Sequence, residues 1–195
     1  MICLEVHRNK ALLTRAGIEG GSLLSAHVGT FIADEEPASL HVAGICDLDQ
    51  GRSAHVYWLD FDKFVVGDVL TFQVVRSGTP SPYVELKPTD SPKYIEEQRQ
   101  FAEVERNYKP PSVPAARKWQ SLGLHMALNG REVGRASYGT AEEHILCSVD
   151  WNRWRPERLR VLVRSFGRAP DAVKPTEWLR ANLQEGEVFE LRLDA

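Results

Sequence analysis

The chain has 195 residues, of which 43% are hydrophobic and 26% are charged. This composition is typical of a soluble globular protein, and the length is sufficient to bury a core without disulfides or metals. It excludes a disordered tail, a collagen, a coiled coil and a disulfide scaffold. The formal net charge of −3 gives the chain no overall attraction to nucleic acid or to a membrane surface.

The apolar runs are short, and none approaches the roughly 20 residues that a membrane-spanning helix needs. Charged and polar residues from Glu5 onward interrupt any signal-peptide pattern after Met1. The chain has three cysteines, Cys3, Cys46 and Cys147, and no CxxC pair. This pattern favours reduced, buried thiols. We therefore expect a cytoplasmic protein with no membrane association and no cofactor.

Short alternations of apolar and polar residues recur through the first half of the chain. They lie near residues 4–6, 24–28, 40–45, 56–58 and 69–75. Alternation of period two, in short runs bounded by Gly, Pro, Asn and Asp, predicts half-buried antiparallel strands. Five or six such strands are typical of a small sandwich or an open barrel.

A helix is predicted between the two halves, over residues 92–108. Ser91 is a favourable N-cap and Pro92 suits the first helical position. The spacing of the apolar side chains places them on one helical stripe; they are Tyr94, Phe101, Val104 and Tyr108. The segment 109–114, KPPSVP, then predicts a stiff proline-rich connector.

The second half repeats the first at an offset of 119 to 120 residues. The segment 4–9 aligns with 124–129, Trp58-Leu59 with Trp178-Leu179, and 66–72 with 185–191. The constant order and spacing predict an internal duplication. Alternation near 159–164 and 188–193 predicts strands there. Residues 177–183 are open to two interpretations, a short helix begun by Pro175 or an extended segment like that around Trp58.

These patterns together predict a mainly all-β protein made of two duplicated small β-sandwich or open-barrel units. The first β-unit spans residues 1–90, the helix and connector span 91–114, and the second β-unit spans 115–195. The three segments carry net charges of −5, 0 and +2. We expect the two units to pack about a pseudo-twofold axis, favoured by this difference in charge.

Four short motifs of the first half carry a resemblance to a known family. They are LSAHV at 24–28, LHVAG at 40–44, HVYW at 55–58 and VGDVLTF at 66–72. This pattern resembles an uncharacterised family of small, β-rich bacterial proteins of unknown function. The resemblance covers residues 4–75 and is weakly repeated in 122–194. It implies a bacterial source, implies no enzymatic activity and carries over no catalytic residue.

Histidines and paired carboxylates of the first half offer a candidate ligand set or acid–base site. They are His7, His27, His41, His55, Asp47, Asp49, Asp60 and Asp62. Strong metal motifs such as HExxH have short fixed spacings, and none is present; the GxSxG motif of serine hydrolases is also absent. An enzyme or a small-molecule or metal binder remains an alternative. It would use the cleft between the units through His41, His55, Asp47 and Asp49.

The strongest candidate for binding is a run rich in tryptophan and arginine. Residues 151–168 contain two tryptophans and six arginines, with Glu157 as the sole acid. Trp and Arg are enriched at binding hot spots. The candidate partner-binding residues are Trp151, Arg153, Trp154, Arg155, Arg158 and Arg160. The alternative is structural, with the tryptophans in the core and the arginines paired with the acidic first half.

The sequence thus favours a non-catalytic, cytoplasmic bacterial module that binds another protein, in an immunity-type or adaptor-type role. Catalytic residues and a metal site are not predicted. A second alternative is a single-stranded nucleic-acid binder, in which the Trp/Arg run stacks on bases and pairs with phosphates. The net charge of only +2 in the second unit makes nucleic acid the less favoured partner.

Overall fold

A computed structural model describes residues 1–31, 36–76, 78–107, 118–138, 142–167 and 175–194, without the side chains of Phe31 and Glu105. These ranges form thirteen strands and one α-helix. The elements in chain order are β1 (Cys3–Arg8), β2 (Ala11–Ala16), β3 (Gly21–Phe31), β4 (Ala38–Asp47), β5 (Ser53–Phe64), β6 (Val69–Val75), β7 (Glu85–Pro88), α1 (Pro92–Asn107), β8 (Gly123–Leu128), β9 (Arg131–Ser137), β10 (Glu142–Asn152), β11 (Leu159–Gly167), β12 (Thr176–Leu183) and β13 (Val188–Asp194).

The strands form two antiparallel sheets that pack face to face. The six-stranded sheet has the order β2-β1-β6-β13-β8-β9, and the seven-stranded sheet has the order β12-β11-β10-β3-β4-β5-β7. The predicted all-β class is confirmed. The described helix is neither long enough nor apolar enough to cross a membrane.

Alternation along the strands fills the space between the sheets with apolar side chains. In β4, for example, Leu40 and Val42 are fully buried, while His41 lies on the outer face. At the middle of the six-stranded sheet, the rings of Phe72 and Phe189 stack with centroids 5.9 Å apart. Burial of each such side chain contributes about 1.5–3 kcal/mol, which makes this core the main source of stability.

Each half of the chain contributes strands to both sheets. Strand β6 pairs with β13 in one sheet, and β3 pairs with β10 in the other. Strands β1–β7 lie within residues 1–90, α1 within 91–114 and β8–β13 within 115–195. The two halves therefore share one continuous hydrophobic core.

Local geometry also recurs between the halves. The β1–β2 ladder has a bulge after Val6, and the β8–β9 ladder has one after Met126. Asn9 and Asn129 both adopt a left-handed backbone, with φ of 53° and 51°. Their side-chain oxygens accept hydrogen bonds from the first N–H of β6 and of β13, at 2.9 and 2.8 Å. Descent of the halves from one duplicated unit stays a prediction.

The predicted helix is present as α1. Ser91 caps it, because its hydroxyl accepts the N–H of Tyr94 at 3.2 Å. The apolar stripe does not pack on the sandwich as a whole: Tyr94 contacts His55, whereas Phe101 and Val104 are each 67% exposed. Tyr108 and the predicted connector at 109–114 lie outside the described residues.

The helical interpretation of residues 177–183 is wrong, because this segment forms strand β12. It pairs with β11 from Leu159↔Leu183 to Ser165↔Thr176. An isolated helix of two turns is marginal in water. The hydrogen bonds that β12 makes along β11 therefore outweigh the local preference of this segment for a helix.

The turn before β6 generates a first prediction. The carboxylate of Asp68 is buried and accepts hydrogen bonds from Asn9 Nδ2 at 2.7 Å, from the Val65 N–H at 3.0 Å and from Arg8. Burial disfavours its charged form, but these hydrogen bonds outweigh that cost and hold the pKa of Asp68 below its usual value. Glu187 makes the equivalent contacts with Asn129 and Gln184 on the surface of the second half.

We expect Asp68→Asn to lower the free energy of unfolding at pH 7 by about 1.5–3 kcal/mol, since it weakens charge-assisted hydrogen bonds to a buried group. Glu187→Gln is the matched control and should cost under about 1 kcal/mol.

Because the folded-state pKa is lowered, the stabilisation by Asp68 is present above the unfolded pKa of about 3.9 and is lost as the pH falls below it. Urea unfolding from pH 7 to pH 3 measures this. A difference between wild type and Asp68→Asn that does not shrink on acidification would contradict the assignment.

Candidate functional site

The connection between β10 and β11 carries the candidate binding residues, and it is called here the Trp154 loop (residues 152–158). Trp151 precedes it as the last inward-facing residue of β10 and is 6% exposed. Its ring Nε1 donates to the carbonyl of Pro156 at 3.2 Å. Trp151 thus belongs to the core, and its indole fixes the far side of the loop.

Hydrogen bonds within and beneath the loop fix its backbone. The N–H of Arg155 donates to the Asn152 side-chain oxygen at 3.1 Å and to its carbonyl at 3.2 Å. The N–H of Arg153 donates to the carbonyl of Ser22, in β3 of the first half, at 3.1 Å. Both sides of the loop are therefore fixed to the sandwich.

Trp154 lies at the tip of this loop and is 72% exposed, more than any other large hydrophobic residue described. The guanidinium of Arg153 lies 5.3 Å from the centre of its ring, which is cation–π distance. Arg153 also forms an ion pair with Asp47 at the end of β4. The indole is consequently held in place on one face and open to solvent on the other.

The remaining arginines have different surroundings. Arg155 and Arg160 are exposed, and neither has an acidic partner within the described part of the chain. Arg158 is half-buried beside Glu157, with Nε and Oε1 3.3 Å apart. Further along β11, Arg164 pairs with Glu177 at 3.1 Å.

The structure therefore divides five of the six candidate residues between the two interpretations of the sequence, and Arg158, beside Glu157, fits neither. Trp151 is a core residue, and Arg153 pairs with an acid of the first half, as the structural alternative predicts. Trp154, Arg155 and Arg160 project into solvent, as the binding interpretation requires. Whether they contact a partner stays a prediction.

A hollow of about 480 Å³ adjoins the loop at this end of the sandwich. It is lined by apolar side chains and a turn of backbone: Met1, Ile2, Ile18, Leu24, Trp151 and residues 19–21. Sequence reasoning missed it because its lining comes from three separate regions of the chain. The signal that could have indicated it is the inward alternation of β10, which ends at Trp151.

A polar cluster occupies the outer face where β3 pairs with β10. Ser25 Oγ donates to Asp150 Oδ1 at 2.5 Å and lies 2.8 Å from His27 Nε2. Ser148 Oγ donates to the other oxygen of Asp150 at 3.1 Å. In a catalytic triad the histidine lies between serine and acid. Here the serine lies between them and donates to the acid, so histidine does not activate it as a nucleophile.

The residues of the metal or acid–base alternative are not brought together. His41 Nδ1 lies 3.5 Å from Asp60, and His55 Nε2 lies 3.1 Å from the hydroxyl of Tyr94. Asp47 pairs with Arg153, and Asp49 lies in a separate 3₁₀ turn. Within the described ranges, no group of three or more His, Cys, Asp or Glu is placed to hold a metal ion.

The three cysteines are buried, and burial raises the pKa of each thiol. A raised pKa leaves the thiol protonated at neutral pH, and the protonated thiol is a poor nucleophile and a poor metal ligand. The cysteines at positions 3, 46 and 147 therefore pack as small hydrophobic residues.

No protein-family model, no curated protein and no solved structure matches the chain. The resemblance to small bacterial β-rich proteins stays a prediction. The case for the Trp154 loop consequently depends on its geometry.

The contrast between the two tryptophans generates a second prediction. We expect Trp151→Ala to lower the free energy of unfolding by about 3–5 kcal/mol, because it empties a packed core position. Trp154→Ala should cost under about 1 kcal/mol, since it removes one exposed cation–π contact. Urea unfolding followed by circular dichroism measures both. Equal losses would mean that Trp154 is also a structural residue.

Proposed function

We propose that this chain is a non-catalytic protein-binding module that engages its partner through the Trp154 loop. The observation that carries the proposal is a tryptophan that is 72% exposed, on a loop whose backbone is hydrogen-bonded on both sides. A bacterial, cytoplasmic setting and an immunity-type or adaptor-type role form part of the same proposal.

A rigid exposed indole is well suited to protein recognition. Truncation of a buried interface tryptophan often costs 2 kcal/mol or more, and Trp and Arg are the residues most enriched among such hot spots. Ordering a free side chain costs about 0.5–1.5 kcal/mol on binding. Arg153 already contacts the ring of Trp154 in the free protein, so part of that cost is met before binding.

The loop favours a partner surface with an apolar pocket and nearby carboxylates. Trp154 would fill the pocket, and Arg155 and Arg160 would face the carboxylates, since both are exposed cations without a described acidic partner. The adjoining hollow beside Ile18 and Leu24 offers space for an apolar side chain of the partner. This arrangement resembles protein interfaces, with an aromatic centre and a charged rim.

Charge and chemistry argue against the two alternatives. Nucleic-acid binders present a dominant basic field, whereas here Asp47 neutralises Arg153, Glu157 lies beside Arg158, and the whole chain is negative. The enzyme alternative is disfavoured because the candidate histidines and aspartates have separate contacts and form no common site. Neither alternative has an observation in its favour comparable to Trp154.

The test begins by capturing partners from a bacterial lysate on the immobilised wild-type chain and identifying them. The affinity of the purified partner is then measured by calorimetry for the wild type and for two variants at similarly exposed positions, Trp154→Ala and Phe101→Ala. We expect Trp154→Ala to raise the Kd at least about 30-fold, the equivalent of 2 kcal/mol. Phe101→Ala, on the exposed face of α1, is the matched control and should leave the Kd unchanged.

Three outcomes would contradict the proposal. The wild type could retain no protein, or the partner could bind Trp154→Ala and wild type equally well. The third is retention of nucleic acid, with an affinity that falls steeply as salt rises, as expected for phosphate contacts. That result would favour the nucleic-acid alternative.

A further inference from the structure

In the first half, one extended segment covers the edges of both sheets at one corner of the sandwich. This segment, residues 78–88, is called here the strap. On the edge strand β2, the Arg15 N–H donates to Ser81 Oγ and the Ser81 N–H donates to the Arg15 carbonyl, both at 2.9 Å. On β5, the Val84 N–H donates to the Tyr57 carbonyl at 2.8 Å. The end of the strap, β7, then pairs with residues 54–57.

The strap also buries side chains at this corner. Trp58 is only 3% exposed, and its Nε1 donates to the strap carbonyl of Ser81 at 3.2 Å. Leu86 of the strap packs against the core. The corner is therefore closed by backbone hydrogen bonds to both sheets and by apolar packing between them.

The same corner of the second half is formed by β9 and β12, which lie next to each other as the outermost strands of their sheets. Arg135 of β9 lies opposite His125 in the β8–β9 ladder, and Arg15 of β2 lies opposite Glu5 in the β1–β2 ladder. In the described part of the chain, no segment is hydrogen-bonded beyond either β9 or β12. This site is called here the open corner.

Side chains reflect the difference between the two corners. Trp178 is the counterpart of Trp58, and each precedes a leucine that pairs with the neighbouring strand, Leu179 with Val163 and Leu59 with Val42. Trp178 is partly exposed, whereas Trp58 is buried. Its Nε1 donates to Ser165 Oγ at 3.1 Å rather than to a strap carbonyl.

We propose that the open corner receives an extended segment of a partner protein, which adds to the edges of β9 and β12 as the strap adds to those of β2 and β5. Addition of a strand to a free sheet edge is a common mode of peptide recognition. Main-chain groups supply the hydrogen bonds, and an apolar side chain in the position of Leu86 would cover Trp178. The proposal concerns a different surface from the Trp154 loop and does not depend on it.

The two strands of the open corner carry three arginines against two glutamates, Glu132 and Glu177, and this net positive charge favours an acidic segment. Glu177 is held by Arg164 and Arg180, with the nearest oxygens 3.1 and 2.6 Å from the guanidinium nitrogens. Arg131 and Arg135 are exposed on β9, and neither has an acidic partner among the described residues. Carboxylates on the incoming segment would pair with these two arginines.

The strap itself supplies the probe. A synthetic peptide of residues 78–89 carries Thr79→Glu, which places a carboxylate beside Arg135 as Thr79 lies beside Arg15 in the strap. It is titrated into the full chain while amide hydrogen exchange is followed. We expect slower exchange in β9 and β12. A matched peptide N-methylated at Ser81 and Val84 lacks the two N–H groups that the strap donates. It should bind at least about tenfold more weakly.

A protein variant tests the charge argument separately. Arg135→Glu should weaken binding of the acidic peptide at least about tenfold, whereas Arg106→Glu on the exposed side of α1 should leave it unchanged. Three results would overturn the proposal: no protection at millimolar peptide, equal binding of the N-methylated peptide, or protection confined to β2 and β5 through displacement of the strap. Trp154→Ala should bind the peptide as wild type does, which separates this test from that of the Trp154 loop.

Discussion

The pairing of β3 with β10 and of β6 with β13 is the constraint on which the rest of the structure depends. These two ladders join the halves of the chain into continuous sheets and place Phe72 directly opposite Phe189. Without them, β3, β6, β10 and β13 would become free edges. Each half would then keep only three strands of the six-stranded sheet, with part of its core uncovered. Three strands with one apolar face are close to the lower limit of independent stability. The cross-half ladders therefore stabilise the core and also remove four strand edges that could pair with other chains.

The Trp154 loop depends on the same junction. Its backbone is bonded to Ser22 and its Arg153 is paired with Asp47, and both residues belong to the first half. A loop that lay only on the second half would lack both contacts, and Trp154 would then be free to change rotamer. The rigidity of the exposed indole is consequently a property of the joined halves. The polar cluster around Asp150 lies on the same ladder, where its hydrogen bonds to Ser25 and Ser148 again connect the halves.

Local patterns were sufficient to predict most strands and the helix, because alternation and the Ser91 cap act over a few residues. They were insufficient for residues 177–183, where pairing with β11 decides the structure. The two tryptophans show the same limit. Trp151 and Trp154 have similar sequence surroundings, yet one is 6% exposed and the other 72%. Alternation through Ile145, Cys147 and Val149 does reach Trp151 at an inward position, and this signal could have separated them. The partners of Arg153 and the open corner depend on which strands become neighbours, and the sequence alone does not determine that.

The differences between the two halves are the most informative about where a partner could bind. Arg15 and Arg135 occupy matching positions, as do Trp58 and Trp178, so two of the residues that the strap contacts in the first half have the same residue type in the second. A sheet edge exposed to water is not unstable, because water satisfies its N–H and C=O groups, but it retains the capacity to pair. Glu177 and Arg180 reduce that capacity only partly, since they pair with each other and leave the cations of β9 exposed. Such an edge has matching side chains, a partly exposed indole and arginines without an acidic partner among the described residues, and this is the chemistry of a binding surface. The strap shows, within the same chain, that an extended segment can bind to such a pair of strand edges.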